Sequence, residues 1–422
     1  MNEDNSQQRG TETTEPPALA APVTGAERID SIDVLRGFAL CGVLLMNIQS
    51  YAMPLCAYMN PTSYKSEGTL NFALWSVNHV LADAKFITIF SALFGAGILL
   101  MTSRAAERTG RSASVHYRRM GWMLLFGCLH GVLLWYGDIL VAYAICGMVA
   151  FLFRRRGVVL LVIVAFVLLC IPALFILGFQ SYMENMSADE LEEMMTMWAP
   201  SAEQIHAKEA AYRGGYLDHL PVRLQSWGQF FGFLFIFGWR VLGVMLLGMA
   251  LLKTGVLSAT KSKAFYTAAI IIGFGLGLPA TVYGIRYLIA CDWDMAQSMG
   301  TGGLFNYAGS LCSACGWIGV VMLVCKSDGF RAVKHRFGAV GRMAFTNYIM
   351  HSVICTTLFY GHGFGLFGRV DRLGQLFIVL AIAALQLWYS PLWLSRYRFG
   401  PLEWAWRSLT YWQRQPMRRA PA

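Results

Sequence analysis

The 422-residue chain is 56% hydrophobic and only 14% charged, with a mean hydropathy of +0.48. A soluble domain carries about 25% charged residues, so the composition excludes one and indicates an integral membrane protein. Lys and Arg outnumber Asp and Glu by 34 to 24, a net charge of +10. In a soluble chain that surplus would point to nucleic acid. Here it collects in loops between apolar runs, and no nucleic-acid partner is expected.

Residues 1–29 are rich in Thr, Glu, Pro and Ala and contain no apolar run, so they read as a disordered tail rather than a signal peptide. Ten apolar segments follow: 32–53, 74–101, 119–136, 139–153, 157–179, 227–252, 264–288, 304–325, 338–360 and 374–395. Assigning the intervening stretches to alternate sides puts 25 Lys and Arg on one side and seven on the other, with Lys85 and Arg240 inside spans. The positive-inside rule then sets both termini in the cytoplasm. The expectation is an all-α polytopic transmembrane bundle of about ten spans over 30–398, with lipid as its surroundings. A long outer (periplasmic) loop covers 181–226. Its stretch from Met183 to Met195 is spaced like an amphipathic helix, fit to lie on the outer surface or cover a cavity mouth. Residues 399–422, with a Trp/Arg mixture, read as a cytoplasmic interfacial segment. The ten cysteines sit mostly inside apolar runs, where a thiol is a small hydrophobe, and imply no disulfide framework.

The first span opens with Asp33 and Arg36, three apart and so able to pair on one helical face. They form either an ordinary interfacial anchor or a cationic site at the mouth of a cavity. Asn47 lies roughly 16 Å further along the axis at 1.5 Å per residue, where an amide is helix glue or ligand contact. In the second span His79 and Asp83 are four apart, followed by Lys85. A carboxylate beside a histidine orients the ring and suits a general base, and equally a buried ion pair with Lys85.

Between 119 and 153 two apolar runs flank Cys128-Leu-His130-Gly131 and Trp135-Tyr-Gly-Asp138, with arginines at both outer ends. They make a membrane hairpin with His130 at bilayer depth and Asp138 at the turn. An ionisable residue at that depth is a functional candidate. The alternatives are that His130 bonds a neighbouring helix and Asp138 caps the second one. Thr346, Asn347 and Tyr348 in the ninth span read as cross-helix hydrogen bonders. Cys312 and Cys315 have CxxC spacing in an apolar span without a second pair, so no metal is expected. The sequence has no Walker, HExxH or GxSxG motif.

The opening Ile32-Asp-Val-Leu-Arg36-Gly37, the CLHG…GDI hairpin and the ending Gly341-Arg-Met-Ala-Phe-Thr-Asn-Tyr…Gly400-Pro-Leu-Glu-Trp-Ala-Trp-Arg together resemble the YeiB family of bacterial inner-membrane proteins. The resemblance runs over nearly the whole chain after residue 28. That family is similar in turn to the transmembrane acyltransferase superfamily, which includes the lysosomal heparan-α-glucosaminide N-acetyltransferase. The resemblance implies a multi-pass inner-membrane enzyme, with a homodimer as the superfamily's precedent. It would take acyl groups from cytoplasmic acyl-CoA to a periplasmic or membrane-embedded small-molecule, lipid or glycan acceptor. It implies Asp33, Arg36, Arg104, Arg118 and Arg119 at the donor's phosphates and Asn47 at the thioester carbonyl. In the lysosomal enzyme the catalytic His precedes an Ala-Asp pair in the second span. The matching position here is Ala73, so the base falls to His130 with Asp138, or to His79 with Asp83. The other class left open by the residues is a transporter of a small or lipidic molecule, with the intramembrane charges lining a path.

Overall fold

The computed structural model describes residues 28–65, 68–109, 112–183 and 185–419, and the side chains of 104–109 and 233 lie outside the description. The expected disordered tail therefore lies outside the described residues, apart from Arg28 and Ile29. Among the described residues the chain is helical throughout, with one isolated antiparallel bridge between Tyr397 and Arg418. Seven stretches of the described residues are long and apolar enough to cross a membrane: Asp30–Ala52, Thr69–Ser103, Val158–Met183, Leu234–Lys253, Lys263–Ala290, Met295–Lys326 and Arg372–Arg396. The protein is an all-α polytopic membrane bundle.

Helix α1 (Asp30–Ala52) starts with Asp30 and Asp33 in its first turn, where carboxylates complement the helix dipole, and is buried over most of its length. The second expected span is two helices, α2 (Thr69–Leu81) and α3 (Lys85–Thr109). At the break the Asn78 carbonyl accepts the N–H groups of both Ala82 and Asp83, and Ala84 takes a left-handed φ of 59°. Helices α4 (Ser112–Leu133) and α5 (Leu140–Ala150) form the hairpin expected around His130. Helix α6 (Val158–Met183) is the most apolar. Its Val159, Phe166 and Leu174 are about two-thirds exposed or more, as a lipid-facing surface requires.

The 181–226 segment carries two helices rather than one, α7 (Ala188–Trp198) and α8 (Ala202–Arg213), each begun by a capping box. Trp198 pins α7 down: its buried indole N–H donates to the Trp293 carbonyl at 3.0 Å. Helices α9 (Leu220–Lys253), α10 (Lys263–Ala290) and α11 (Gly303–Lys326) continue the bundle, followed by α12 (Arg331–Arg342), α13 (Ala344–Phe359), α14 (Arg372–Arg396) and α15 (Pro401–Tyr411).

The expected span 338–360 is thus interrupted. Helical geometry lapses at Met343, and the amides of Phe345 and Thr346 donate to Glu403 Oε1 of α15 at 2.7 and 3.0 Å. A carboxylate from the far end of the chain caps α13, in the place where the dipole favours negative charge. Burial pushes this carboxyl above the ordinary glutamate range, with the donated hydrogen bonds opposing. Nearby, α1 and α12 cross backbone to backbone. A Cβ at Gly37 would lie 2.0 Å from the Phe337 carbonyl oxygen, and one at Gly341 would lie 1.9 Å from that of Asp33. Only glycine on both helices allows this approach, which carries Asp33 and Arg36 against Arg342.

Candidate functional site

A cavity of about 250 Å³ opens where the first turn of α1, the end of α12 and the last helix α15 meet α3 and α4. Its mouth holds five arginines, Arg28, Arg36, Arg119, Arg342 and Arg407, against two carboxylates, Asp33 and Glu403. Asp33 accepts from Arg28 Nε at 3.2 Å and from Arg36 Nη1 at 2.8 Å. Arg119 lies over the Trp406 ring at 4.2 Å. Arg342 Nε is buried without an acceptor, so this guanidinium keeps a donor to offer. The mouth is a surplus of fork-shaped cationic donors, suited to phosphate or carboxylate oxygens.

The body is apolar, walled by Phe90, Leu93, Phe94, Ile98, Met120 and Met123. His116 interrupts it. Its Nε2 donates to the Gly147 carbonyl at 3.0 Å and its ring stacks on Phe151, which leaves Nδ1 as a buried acceptor without a partner. The deep end is marked by Tyr348, whose ring lies 5.3 Å from that of His130.

Behind Tyr348 runs a chain of four almost inaccessible side chains. Asp138 Oδ1 accepts from His130 Nδ1 at 2.8 Å, His130 Nε2 faces Ser352 Oγ at 2.7 Å, and Ser352 Oγ meets Tyr51 OH at 2.5 Å. An ionised Asp138 can only accept, so Nδ1 carries a proton, and in the neutral ring Nε2 turns its lone pair to the serine hydroxyl. The hairpin builds this arrangement locally. Leu134 and Trp135 donate back to the His130 carbonyl and end α4, and the turn returns Asp138 alongside the last turn of that helix. Asp138 Oδ2 also accepts the Val141 N–H at 2.8 Å. The capping role and the pairing with His130 are therefore held by the same carboxylate. Gly127 leaves room for it, because a Cβ there would come within 2.8 Å of Asp138 Oδ2.

The structure separates the other predicted residues from this place. His79 and Asp83 do pair, at 3.0 Å, but away from the cavity. Asp83 also accepts from Tyr58 OH at 2.6 Å and Asn306 Nδ2 at 2.8 Å. Lys85 does not make the ion pair with Asp83 that the spacing suggested. It donates instead to the His79 carbonyl and to Asn306 Oδ1. Asn47 is half-buried and does not line the cavity. Arg118 donates to the Thr410 carbonyl and lies beside Trp412, off the cavity wall. The side chain of Arg104 lies outside the described residues, as does Arg111. Ser352, Tyr51 and His116 join the site unannounced by any motif, whereas Arg342 and Arg407 lie within the two stretches that carry the family resemblance. A lone serine in an apolar helix carries no signal, while the Trp/Arg composition of 401–411 did mark that segment as unusual.

The sequence profile described as "Protein of unknown function (DUF418)" matches residues 251–413, which include Arg342, Ser352, Glu403 and Arg407. The chain is 31% identical to the uncharacterized protein YeiB of Escherichia coli (strain K12), over 91% of this chain and 96% of that protein. It is 30% identical to the uncharacterized protein YxaH of Bacillus subtilis (strain 168), over 94% of this chain and 97% of that one. An uncharacterized 39.9 kDa protein encoded in the amylase 3' region of Bacillus acidopullulyticus is 27% identical, with 94% and 97% covered.

Proposed function

The chain belongs to the YeiB (DUF418) family of membrane proteins, and from that premise we propose that it is an acyl-CoA-dependent acyltransferase of the bacterial inner membrane. The observation that carries this reading is the polarity of the cavity, which has an arginine mouth, an apolar body and a histidine–aspartate pair just past its deep end. Acyl-CoA has the same polarity. Its phosphates would rest among Arg36, Arg342 and Arg407, set at the cytoplasmic face, with the nucleotide outside the mouth. The pantetheine arm and acyl group would run inward along Phe90, Phe94 and Met123. His116 Nδ1 would accept an amide N–H of that arm.

At the deep end His130, held in one tautomer by Asp138, is the general base. The proton it receives comes by way of the Ser352 hydroxyl, which occupies Nε2. The acceptor, a hydroxyl or amine at the periplasmic side or in the membrane, would approach from the Tyr51 and Trp135 side, opposite the donor. Transport is the reading that inherits the fold if no donor binds.

The test is a thermal-shift titration of purified protein with acetyl-CoA, longer acyl-CoAs and free CoA. Binding at 100 times the dissociation constant stabilises by about 2.7 kcal/mol, an easily measured rise. The shift should grow with acyl length and shrink in Arg36→Ala. No shift with any CoA species would overturn the proposal.

A further inference from the structure

We infer that Ser352 is a nucleophile that holds the acyl group as an ester on its Oγ between donor and acceptor. This rests on the acyltransferase reading above, and adds to it a covalent intermediate and a two-step reaction.

The first argument is geometric. A base acts on a proton within hydrogen-bond reach, and the atom within reach of His130 Nε2 is Ser352 Oγ, at 2.7 Å in a fully buried setting. The three side chains come from three places, the turn before α5, the end of α4 and the middle of α13. Nucleophile, base and orienting carboxylate stand in the order that activates a hydroxyl.

The second argument is what Ser352 does not do. Hydroxyls inside helices commonly bond the carbonyl one turn back. Thr88, Ser91, Thr102 and Thr357 do so, to Ala84, Ile87, Ile98 and Val353. The Ser352 hydroxyl instead meets only side chains of other elements, His130 and Tyr51. A packing serine has no need of that arrangement.

The third is position. Ser352 follows Tyr348 by four residues on the same face of α13, about 6 Å deeper. Tyr348 is the last side chain lining the cavity, and its hydroxyl is held only by a 3.4 Å contact from the Ile139 N–H. This ring must turn aside to join the cavity to the serine.

In the first half-reaction Ser352 Oγ attacks the thioester carbonyl, and its proton passes to His130 Nε2. The carbon–sulfur bond breaks, the sulfur takes that proton, and free CoA thiol leaves. In the second half-reaction the acceptor hydroxyl or amine attacks the serine ester and gives its proton to His130. The ester bond to Oγ breaks, and Oγ recovers the proton. Donor and acceptor thus never need to occupy the site together, which suits partners arriving from opposite faces of a membrane.

The experiment is a single turnover of the full chain with acetyl-CoA and no acceptor, reading thiol release alongside intact and peptide mass. The expected result is one equivalent of thiol and one acetyl group on the peptide containing Ser352. In Ser352→Ala the adduct should vanish and thiol release should slow roughly a thousandfold or more. Ser352→Cys, which preserves shape and a nucleophile, should retain an acetyl group as a hydroxylamine-sensitive thioester. Thiol release with no enzyme adduct in the wild type, or at an undiminished rate in Ser352→Ala, would overturn the inference and leave the acyltransferase intact. Acetyl-CoA that neither binds nor is cleaved would overturn both.

Discussion

Among the described residues two histidine–aspartate pairs stand in this bundle, the fully buried His130 with Asp138 at 2.8 Å and the partly exposed His79 with Asp83 at 3.0 Å. In the second pair the aspartate is saturated by Tyr58 and Asn306, and the ring of His79 lies flat against Trp75 at 4.7 Å. Asn306 links it to Lys85 as well. That cluster ties α2, α3 and α11 together. In the first pair the far ring nitrogen faces a hydroxyl, and a cavity ends one aromatic ring away. The separation within a pair is therefore a poor guide to its work. What the outward nitrogen faces, and whether a ligand-sized space adjoins it, assigns one pair to chemistry and the other to architecture.

The largest effect that sharpens this contrast is on turnover. His130→Ala should lower acyl transfer by about a thousandfold or more while leaving inserted, folded protein. Transfer at the wild-type rate in detergent would remove His130 from the mechanism. Asp83→Asn should do the opposite, costing about 2–4 kcal/mol of stability by breaking a buried network, with transfer per folded molecule unchanged. A loss of activity matching that of His130→Ala, at an unaltered melting temperature, would erase the distinction between the pairs. At the mouth, Arg342→Ala should weaken acyl-CoA binding about tenfold, or roughly 1.4 kcal/mol, and flatten its salt dependence. An unchanged dissociation constant would move the donor's phosphates elsewhere.

The smallest effect concerns Glu403. Its carboxyl holds a proton to higher pH in the folded state than in the unfolded chain, because burial penalises the charge. The folded protein then binds more protons above the ordinary glutamate value of 4.5, so this group's contribution to stability declines as pH rises through its folded-state value. Glu403→Gln should cost about 1 kcal/mol through the weakened cap and remove that decline from the melting profile. An identical pH profile in the variant would assign the dependence to another group.

Much of the fold is legible in the hydrophobic pattern, because a bilayer demands long apolar helices and concentrates charge at their ends. The pattern does not show where such helices break. The interruption at Ala82–Ala84 lets Asp83 reach Tyr58 and Asn306, and the one at Met343 exists because a distant glutamate receives the freed amides. Both depend on contacts between segments remote in sequence. Likewise His130 and Asp138 stand out singly as ionisable residues in an apolar hairpin, and the turn between them is short enough to suggest their meeting. Ser352 has no such mark, and only the crossing of α13 behind α4 makes it part of the site. Asn47 is the reverse case, deep within α1 by its position yet off the wall of this cavity.

The wall of the cavity draws on both ends of the described chain, residues 28–36 and residues 403–411. At about 5–20 residues per second of synthesis, the first of these segments waits roughly 20 to 70 seconds for the second. For most of that interval α13 itself is unmade and then it lacks the carboxylate that caps it, while the arginines of α1 and α4 face an unfinished chamber. The bundle can be inserted long before it can hold a ligand, so competence arrives as a late event in biogenesis. A lesion after residue 400 would leave a well-inserted protein with an open-sided chamber.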